Sequence, residues 1–348
     1  MIQISSNEIN SYKSLTLKNN TNLIFTNLAQ PEMAIKDSLV FISSYEMAKT
    51  ALNNQATGFI VLEKIFIDVQ NLFTDKQALW TTQNIKASMT EVLKSFDLAT
   101  KPNQKIHPTA IIHPTAIIDH HVTISEYVVI QENVVIKSNC QIGSFTLIEA
   151  SAVIGTQTKI DSHVLIGHHC EIGSRCHISS HTSVGTDGFG YFTDKTNTHH
   201  KVPQIGYVII ENDCELGSHC SVDRATLAVT RIKTGSKLDN FCHIAHNVEI
   251  GENAMMAAGF MTAGSTNVGK NITTGGGVHL NGHITISDNV FLAGNSGVVS
   301  SIEKPGIYGG FPTVPHKENL KIMASLGYLP KLRKQVSAIL KHLGLDSE

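Results

Sequence analysis

From Ile106 onward an apolar residue returns at every sixth position. Isoleucine fills it without exception through Ile112, Ile118, Ile124 and so on to Ile178, and Val184 closes the run. Four places after each isoleucine stands a small or β-branched residue, as at Ala110, Val122, Val134, Cys140, Thr146, Ala152, Thr158 and Cys176. Two inward positions in six match neither the helical period nor the alternation of a lone strand. They match short strands that turn a corner every six residues around a triangular prism. Three faces make a coil of about 18 residues, and coils stack at the roughly 4.8 Å spacing of parallel strands, so each isoleucine lies above another. The pattern predicts a mainly β protein built on a parallel solenoid. Unrelated strands of a sandwich would instead show turn signals at irregular spacing.

The period divides the chain. Residues 1–100 lack it: apolar runs at Leu23–Phe25, Leu39–Ile42 and Phe59–Leu62 alternate with segments of helical character at Tyr45–Leu52 and Lys86–Phe96, which predicts a small α/β domain. Thr100–Lys105 reads as the link into a prism domain over 101–302. Two interruptions break the prism. Gly185–Gln204, with Asp187-Gly-Phe-Gly-Tyr191, reads as a loop thrown out from a corner, and the hexads slip once more across Arg224–Arg231 before running in register from Ile232 to Val298. This second half is less pure. Met256, Thr262 and Thr274 replace isoleucine and Gly275–Gly277 removes side chains, so packing relaxes where a ligand approaches. Past Pro305, across 303–348, the period turns helical, with Leu332, Val336, Ile339, Leu340 and Leu343 on one face, Pro330 near a helix start and an earlier helix around Glu318–Leu326.

A net charge of −2 gives no reason to expect a nucleic-acid partner. No stretch has the apolar length of a signal peptide or membrane span, so a cytoplasmic location without an integral membrane segment is expected. The six cysteines (Cys140, Cys170, Cys176, Cys214, Cys220, Cys242) all occupy the small inward slot, where a thiol is a compact filler, and no Cys-x-x-Cys occurs. Flat-sided prisms favour side-by-side assembly, and a homotrimer with clefts between protomers is expected. The segment after residue 302 carries seven Lys and Arg against four Asp and Glu, suited to an acidic protein partner.

Of the 18 histidines most take outward slots, such as His107, His113, His181 and His219. Two keep different company: His246 in His243-Ile-Ala-His-Asn247, and His283 in Asn281-Gly-His283. Gly264 follows His246 by one coil, which places it about 4.8 Å along the axis. An imidazole beside an exposed backbone N–H suits acyl transfer, one taking a proton from a nucleophile while the other stabilises an oxyanion.

Several segments together resemble the UDP-3-O-(3-hydroxyacyl)glucosamine N-acyltransferases of lipid A biosynthesis in Gram-negative bacteria. They are Asp187-Gly-Phe-Gly-Tyr191, Pro203-Gln-Ile-Gly206, Val222-Asp-Arg224, Leu238-Asp-Asn240, Ile244-Ala-His-Asn247, Ala263-Gly-Ser265, Asn281-Gly-His283 and Pro305-Gly-Ile-Tyr308. The resemblance implies a left-handed parallel β-helix, an exception to the usual right-handed crossover. It also implies transfer of a 3-hydroxyacyl chain from the phosphopantetheine of acyl carrier protein to the 2-amino group of a UDP-3-O-acylglucosamine, with no covalent acyl-enzyme, no cofactor and no metal. In that family's terms His246 is the general base, Asp239 orients or stabilises it, His283 is a second catalytic or substrate-binding histidine, the Gly264 amide is the oxyanion donor and Asn240 binds substrate.

The same resemblance assigns uracil stacking to Phe41 and Tyr45, although Phe41-Ile-Ser-Ser-Tyr45 is two residues shorter than the family's segment and lacks its asparagine. In Gly294–Ser300 the family's methionines and a following arginine are absent. Gly297 and Val299 replace the bulk, which implies a deeper groove for longer chains, and Ser300 replaces the arginine, which leaves carrier docking to Lys304, Lys317 and Lys321. Two relatives of the fold are rivals: the sibling O-acyltransferase acting on UDP-N-acetylglucosamine, which lacks the N-terminal domain, and the γ-type carbonic anhydrase, to which the five-residue spacing of His163 and His168 points. A solenoid acting only as a spacer would need no special residues in its second half.

Overall fold

The computed structural model describes residues 3–96, 104–310 and 315–345, and most of the expected link at Thr100–Lys105 lies outside them. The chain divides into two compact units, Met1–Lys101 and Pro102–Glu348. In the first, a five-stranded sheet runs β1–β5–β4–β3–β2, where β1 is Thr16–Asn19, β2 Asn27–Ala29, β3 Ser38–Ile42, β4 Gly58–Leu62 and β5 Ala78–Thr82. Strands β2 to β5 are parallel and β1 pairs antiparallel to β5. The crossovers between β3, β4 and β5 are the helices α1 (Tyr45–Asn53) and α2 (Glu63–Val69), and α3 (Ile85–Phe96) follows β5. Helices on both faces explain why the central strands read as unbroken apolar runs. One face packs Val40, Ile42, Phe59 and Val61 on Ala48, Ala51 and Val69, and the other packs Phe25, Phe41, Ile60 and Trp80 on Val92. Hydroxyl capping starts α1, where Ser44 Oγ accepts from the Met47 N–H at 3.3 Å.

The second unit is the prism, a left-handed parallel β-helix of three sheets with ten, ten and nine strands. The first face begins at Thr123–Ile124, the second at Ile111–Ile112 and the third at Ile117–Ile118. Ile124 pairs with Ile142, Ile130 with Ile148 and Ile136 with Ile154, so the isoleucines form buried columns as the period requires. The residue three places after each is the corner, and it takes a left-handed conformation, as at Asn133, Asn139, Ser151, Asn253 and His283 with φ between 54° and 61°. On the corner after the first face, Tyr127, Phe145, His163, His181, His219 and Phe241 stack as a ladder with ring centroids 4.9–5.3 Å apart. Three of the outward histidines are thereby stacking groups, each ring-to-ring step contributing on the order of 1 kcal/mol.

The small inward slot does more than fill space. Its hydroxyl or thiol donates to the carbonyl of the residue that follows an inward aliphatic in the next coil: Thr146 to Asp161 at 2.9 Å, Thr158 to Gly173 at 2.7 Å, Thr182 to Gly217 at 2.7 Å, Ser236 to Gly251 at 2.9 Å and Thr266 to Asn281 at 2.8 Å. The thiols of Cys140 and Cys176 do the same to Gly155 and Glu211, at 2.9 and 3.0 Å. All six cysteines are buried and unpaired, and burial pushes the thiols of Cys140 and Cys170 above their usual range. The sequence reading of these cysteines as fillers is therefore incomplete, because the slot also satisfies a buried corner carbonyl.

Both interruptions are ordered. Ser183–Asp187 runs out from the second face, a hairpin of Tyr191–Thr193 with His199–Lys201 follows, and the chain rejoins the third face at Tyr207–Ile210. The prism also extends past the expected boundary at 302. Gly306–Tyr308 adds a last strand to the first face beside Val290–Leu292, and helices appear only at α4 (His316–Leu326) and α5 (Leu329–His342). Thr158 also accepts from the Cys176 N–H at 3.1 Å, so Thr158→Val orphans two buried backbone groups. It is expected to cost about 1–3 kcal/mol in denaturant unfolding, and Thr158→Ser much less.

Candidate active site

Stacking by 18 residues brings chemistry to one corner of the second face. His246, Gly264 and Gly282 take the same position in three successive coils. A Cβ on Gly264 would lie 2.6 Å from His246 Nε2 and 2.5 Å from Cε1, so the glycine is what admits the ring. Its backbone N–H meets no protein acceptor among the described residues. From the other side the thrown-out loop closes on the ring, where a Cβ on Gly188 would stand 2.6 Å from His246 Cβ. The loop is buttressed by buried Gln204, which accepts from Thr226 Oγ1 at 2.8 Å and donates to Val202 O at 2.9 Å. At its base the buried Arg224 side chain donates to Gly185 O at 2.8 Å and rests on His168.

Asn247 sets the proton on His246. The Thr226 N–H donates to Asn247 Oδ1 at 3.0 Å while Asn247 Nδ2 donates to Leu227 O at 2.9 Å, which fixes which end of the amide is oxygen. That oxygen lies 3.2 Å from His246 Nδ1. A neutral His246 therefore carries its proton on Nδ1 and leaves the lone pair on Nε2, above Gly264. The neighbouring groove holds about 460 Å³ and is lined by Phe189, Asp223, His243, His246, Met261, Gly264 and His279. His243, Met261 and His279 are outward residues of the second face in direct register, with Ser221 before them and Gly297 after.

The structure brings Gly264 against His246 and joins His283 to Gly264 through the backbone, His283 N–H to Gly264 O at 3.1 Å, with the imidazole of His283 exposed at the corner. Asp239 is elsewhere. It lies beyond the first face, where Oδ1 accepts from the Asn240 N–H at 2.7 Å, and it lines another groove with His177, Glu215 and Lys237. Asn240 Oδ1 in turn accepts from the Ser218 N–H at 2.7 Å. Within one chain the carboxylate that shares the groove with His246 is Asp223. Gly297 ends the outward column in open space, with no atom within 4 Å of a Cβ placed there, and Val299 is 79% exposed. Phe41 is 9% exposed and packs in the core of its sheet, so the solvent-facing ring of that segment is Tyr45, at 44%. Lys304, Lys317 and Lys321 are exposed, the last two one turn apart on α4.

Sequence reasoning quoted Asp223 and His243 only within motifs, without a site role, and passed over His279. The signal was present: allowing for the slip at Arg224–Arg231, Asp223 precedes Ala245 by one coil, and His279 follows His243 by two. The spacing of His163 and His168 does not converge on a metal, since His163 stacks between Phe145 and His181 while His168 meets Arg224. Among the described residues no group of three or more His, Cys, Asp or Glu is placed to hold an ion, and no helix is long and apolar enough to cross a membrane.

Comparison with known proteins finds sequence relatives for part of this chain. The chain is 38% identical to the UDP-3-O-acylglucosamine N-acyltransferase of Campylobacter lari and 39% identical to that of Wolinella succinogenes, in each case over 143 residues, 41% of this chain and 45% of the relative. The similarity spans less than half the length of these relatives. The family described as the GMPPB C-terminal domain matches residues 100–187, the uninterrupted hexads, a stretch that ends before Asp223 and His246. Solved structures similar to it include LpxA from Acinetobacter baumannii, 26% identical with a TM-score of 0.48 over 67% of this chain and 83% of that one. The UDP-N-acetylglucosamine acyltransferase from Campylobacter jejuni is 18% identical with a TM-score of 0.45 over 70% and 92%.

The backbone of Gly264 has an ordinary φ, so only the ring opposes a side chain there. Gly264→Ala is expected to leave thermal unfolding nearly unchanged and to displace the His246 ring, read as a shift of its imidazole signals in NMR spectra. Gly310→Ala, with open space around it and away from this groove, is the control for both measurements.

Proposed function

We propose that this protein is an N-acyltransferase that moves a 3-hydroxyacyl chain from the phosphopantetheine thioester of acyl carrier protein to the 2-amino group of a UDP-3-O-acylglucosamine, a step of lipid A biosynthesis. The observation that carries the reading is the orientation of His246: Nδ1 is committed to Asn247, and Nε2 faces a groove over a glycine whose N–H is unspent. The amine nitrogen attacks the thioester carbonyl carbon, a C–N bond forms, and the carbonyl oxygen gathers negative charge that the Gly264 N–H stabilises. His246 Nε2 takes a proton from that nitrogen and delivers it to the sulfur as the C–S bond breaks. The chain needs neither a covalent acyl-enzyme nor a metal or cofactor for these steps.

The remaining assignments follow the same scheme. The acyl chain lies along the outward column of the second face toward Gly297, and His283 binds at the mouth of the groove. Prisms associate as a homotrimer, and Asp239 and Asn240, on a different face from His246 in their own chain, act on the His246 of a neighbour. Tyr45 offers a stacking surface for uracil, and Lys304, Lys317 and Lys321 dock the acidic carrier.

Mass spectrometry of the product tests the reaction. The purified chain, given a 3-hydroxyacyl carrier and UDP-3-O-acylglucosamine, should yield the amide and should leave UDP-N-acetylglucosamine untouched. His246→Ala should lower turnover by about 10²–10⁴-fold with the trimer intact, and near-normal turnover would remove the assignment. Gly297→Met should shift preference toward shorter hydroxyacyl chains, each excluded methylene costing about 0.8 kcal/mol of binding. An unchanged chain-length profile would show that the acyl group lies elsewhere.

A further inference from the structure

The groove beside His246 holds a carboxylate without a cation. Asp223 is only 6% exposed, yet no lysine or arginine pairs with it among the described residues. Its neighbour Arg224 is spent on Gly185 O and His168, and the loop cation Lys201 is paired with Asp187. The two oxygens of Asp223 are in different circumstances. Oδ1 accepts from Thr186 Oγ1 at 3.1 Å and from Ser221 Oγ at 3.5 Å, whereas Oδ2 has no hydrogen bond, with His243 Nε2 the nearest basic atom at 3.8 Å. That separation exceeds hydrogen-bond distance. Asp223, His243 and His246 line the same groove, which puts this carboxylate in the space that the His246 ring also borders.

A buried carboxylate is costly unless a cation or donors satisfy it. Burial accordingly pushes the Asp223 carboxyl above its ordinary range, against the pull of His243, Thr186 and His246. A ligand bearing an ammonium group would supply what the protein leaves out. A hydroxyl would not: it donates one neutral hydrogen bond and leaves the charge uncompensated.

We infer that Asp223 is the anchor for the acceptor's amino group, pairing through Oδ2 with the ammonium form and thereby selecting an amine over a hydroxyl at the position that His246 activates. The inference rests on the acyl-transfer reading and adds to it a basis for N- over O-acylation. Protons balance in this scheme. The ammonium held by Asp223 releases one proton to solvent before attack, and the second leaves nitrogen for His246 as the amide forms and reaches the departing sulfur. Asp223 is a specificity residue that touches the nucleophile and does not itself form or break a bond to carbon.

The test compares two ligands by calorimetric binding at pH 7: UDP-3-O-acylglucosamine, with its 2-amine, and the analogue carrying a 2-hydroxyl. The wild-type chain should favour the amine roughly 10- to 100-fold, the range for a hydrogen bond to a charged group. Asp223→Asn should bring that ratio to within about threefold of unity while the hydroxyl ligand binds as before, a split that a purely structural role does not produce. Equal loss of both ligands in the variant, or an unchanged ratio, overturns the assignment. Where the variant does not fold, the wild-type chain decides, since a wild-type ratio near one overturns it and a clear amine preference that is lost at a pH high enough to deprotonate the ligand's ammonium sustains it. A wild-type chain that binds neither sugar defeats the acyl-transfer reading and the Asp223 assignment together, whereas a wild-type chain that transfers acyl groups with no amine preference defeats the assignment alone.

Discussion

One constraint governs this molecule: parallel pairing between coils holds each residue over the one 18 places on. Backbone hydrogen bonds enforce that register along three faces, and the inward aliphatics make any slip costly, because a one-residue shift would turn the core columns outward. The small slot reinforces it with a hydroxyl or thiol that reaches the next coil. A sequence under this constraint becomes a set of columns, and any column can be given chemistry without disturbing the others. The corner of the second face uses this freedom. An imidazole needs a glycine beneath it, and Gly264 meets that need one coil on.

The two excursions from the period are what turn the columns into a site. Val184 pairs with Val222 and Ile210 with Ile232, so extra residues leave the prism and the register resumes unharmed. The first excursion lays Gly188 and Phe189 beside His246, and the second supplies Thr226 and Leu227 to hold the amide of Asn247. Arg224 and Gln204 tie the two excursions to each other, and Arg224 also meets His168 in the coil below. Irregular backbone is thus paired or buttressed wherever it approaches the groove, the condition under which a loop can hold a catalytic geometry.

Much of this was legible from spacing alone. The prism, its inward slots and the approach of Gly264 to His246 all follow from counting in sixes, because the fold leaves so little choice. What counting did not reach has physical reasons. Asp239 is only seven residues from His246, which in a six-residue period means the next face, so nearness in sequence put them on different sides of one chain. Asp223 was hidden by the four-residue slip that follows it. Phe41 lies in an apolar run of a doubly covered strand, and a ring there goes to the core before it goes to a ligand. The last strand, Gly306–Tyr308, follows an irregular segment without hexads, so the prism's end was placed too early.

The account depends most on which nitrogen of His246 carries the proton, and that is open to direct measurement. Nitrogen-15 spectra of histidine-labelled protein, with the His246 signals identified by their loss in His246→Ala, report the tautomer at a pH where the ring is neutral. The account predicts a protonated Nδ1 and a bare Nε2, with the two forms mixing once Asn247→Ala removes the acceptor. A neutral ring protonated at Nε2 in the unaltered protein would contradict it, for the base would then point away from the groove.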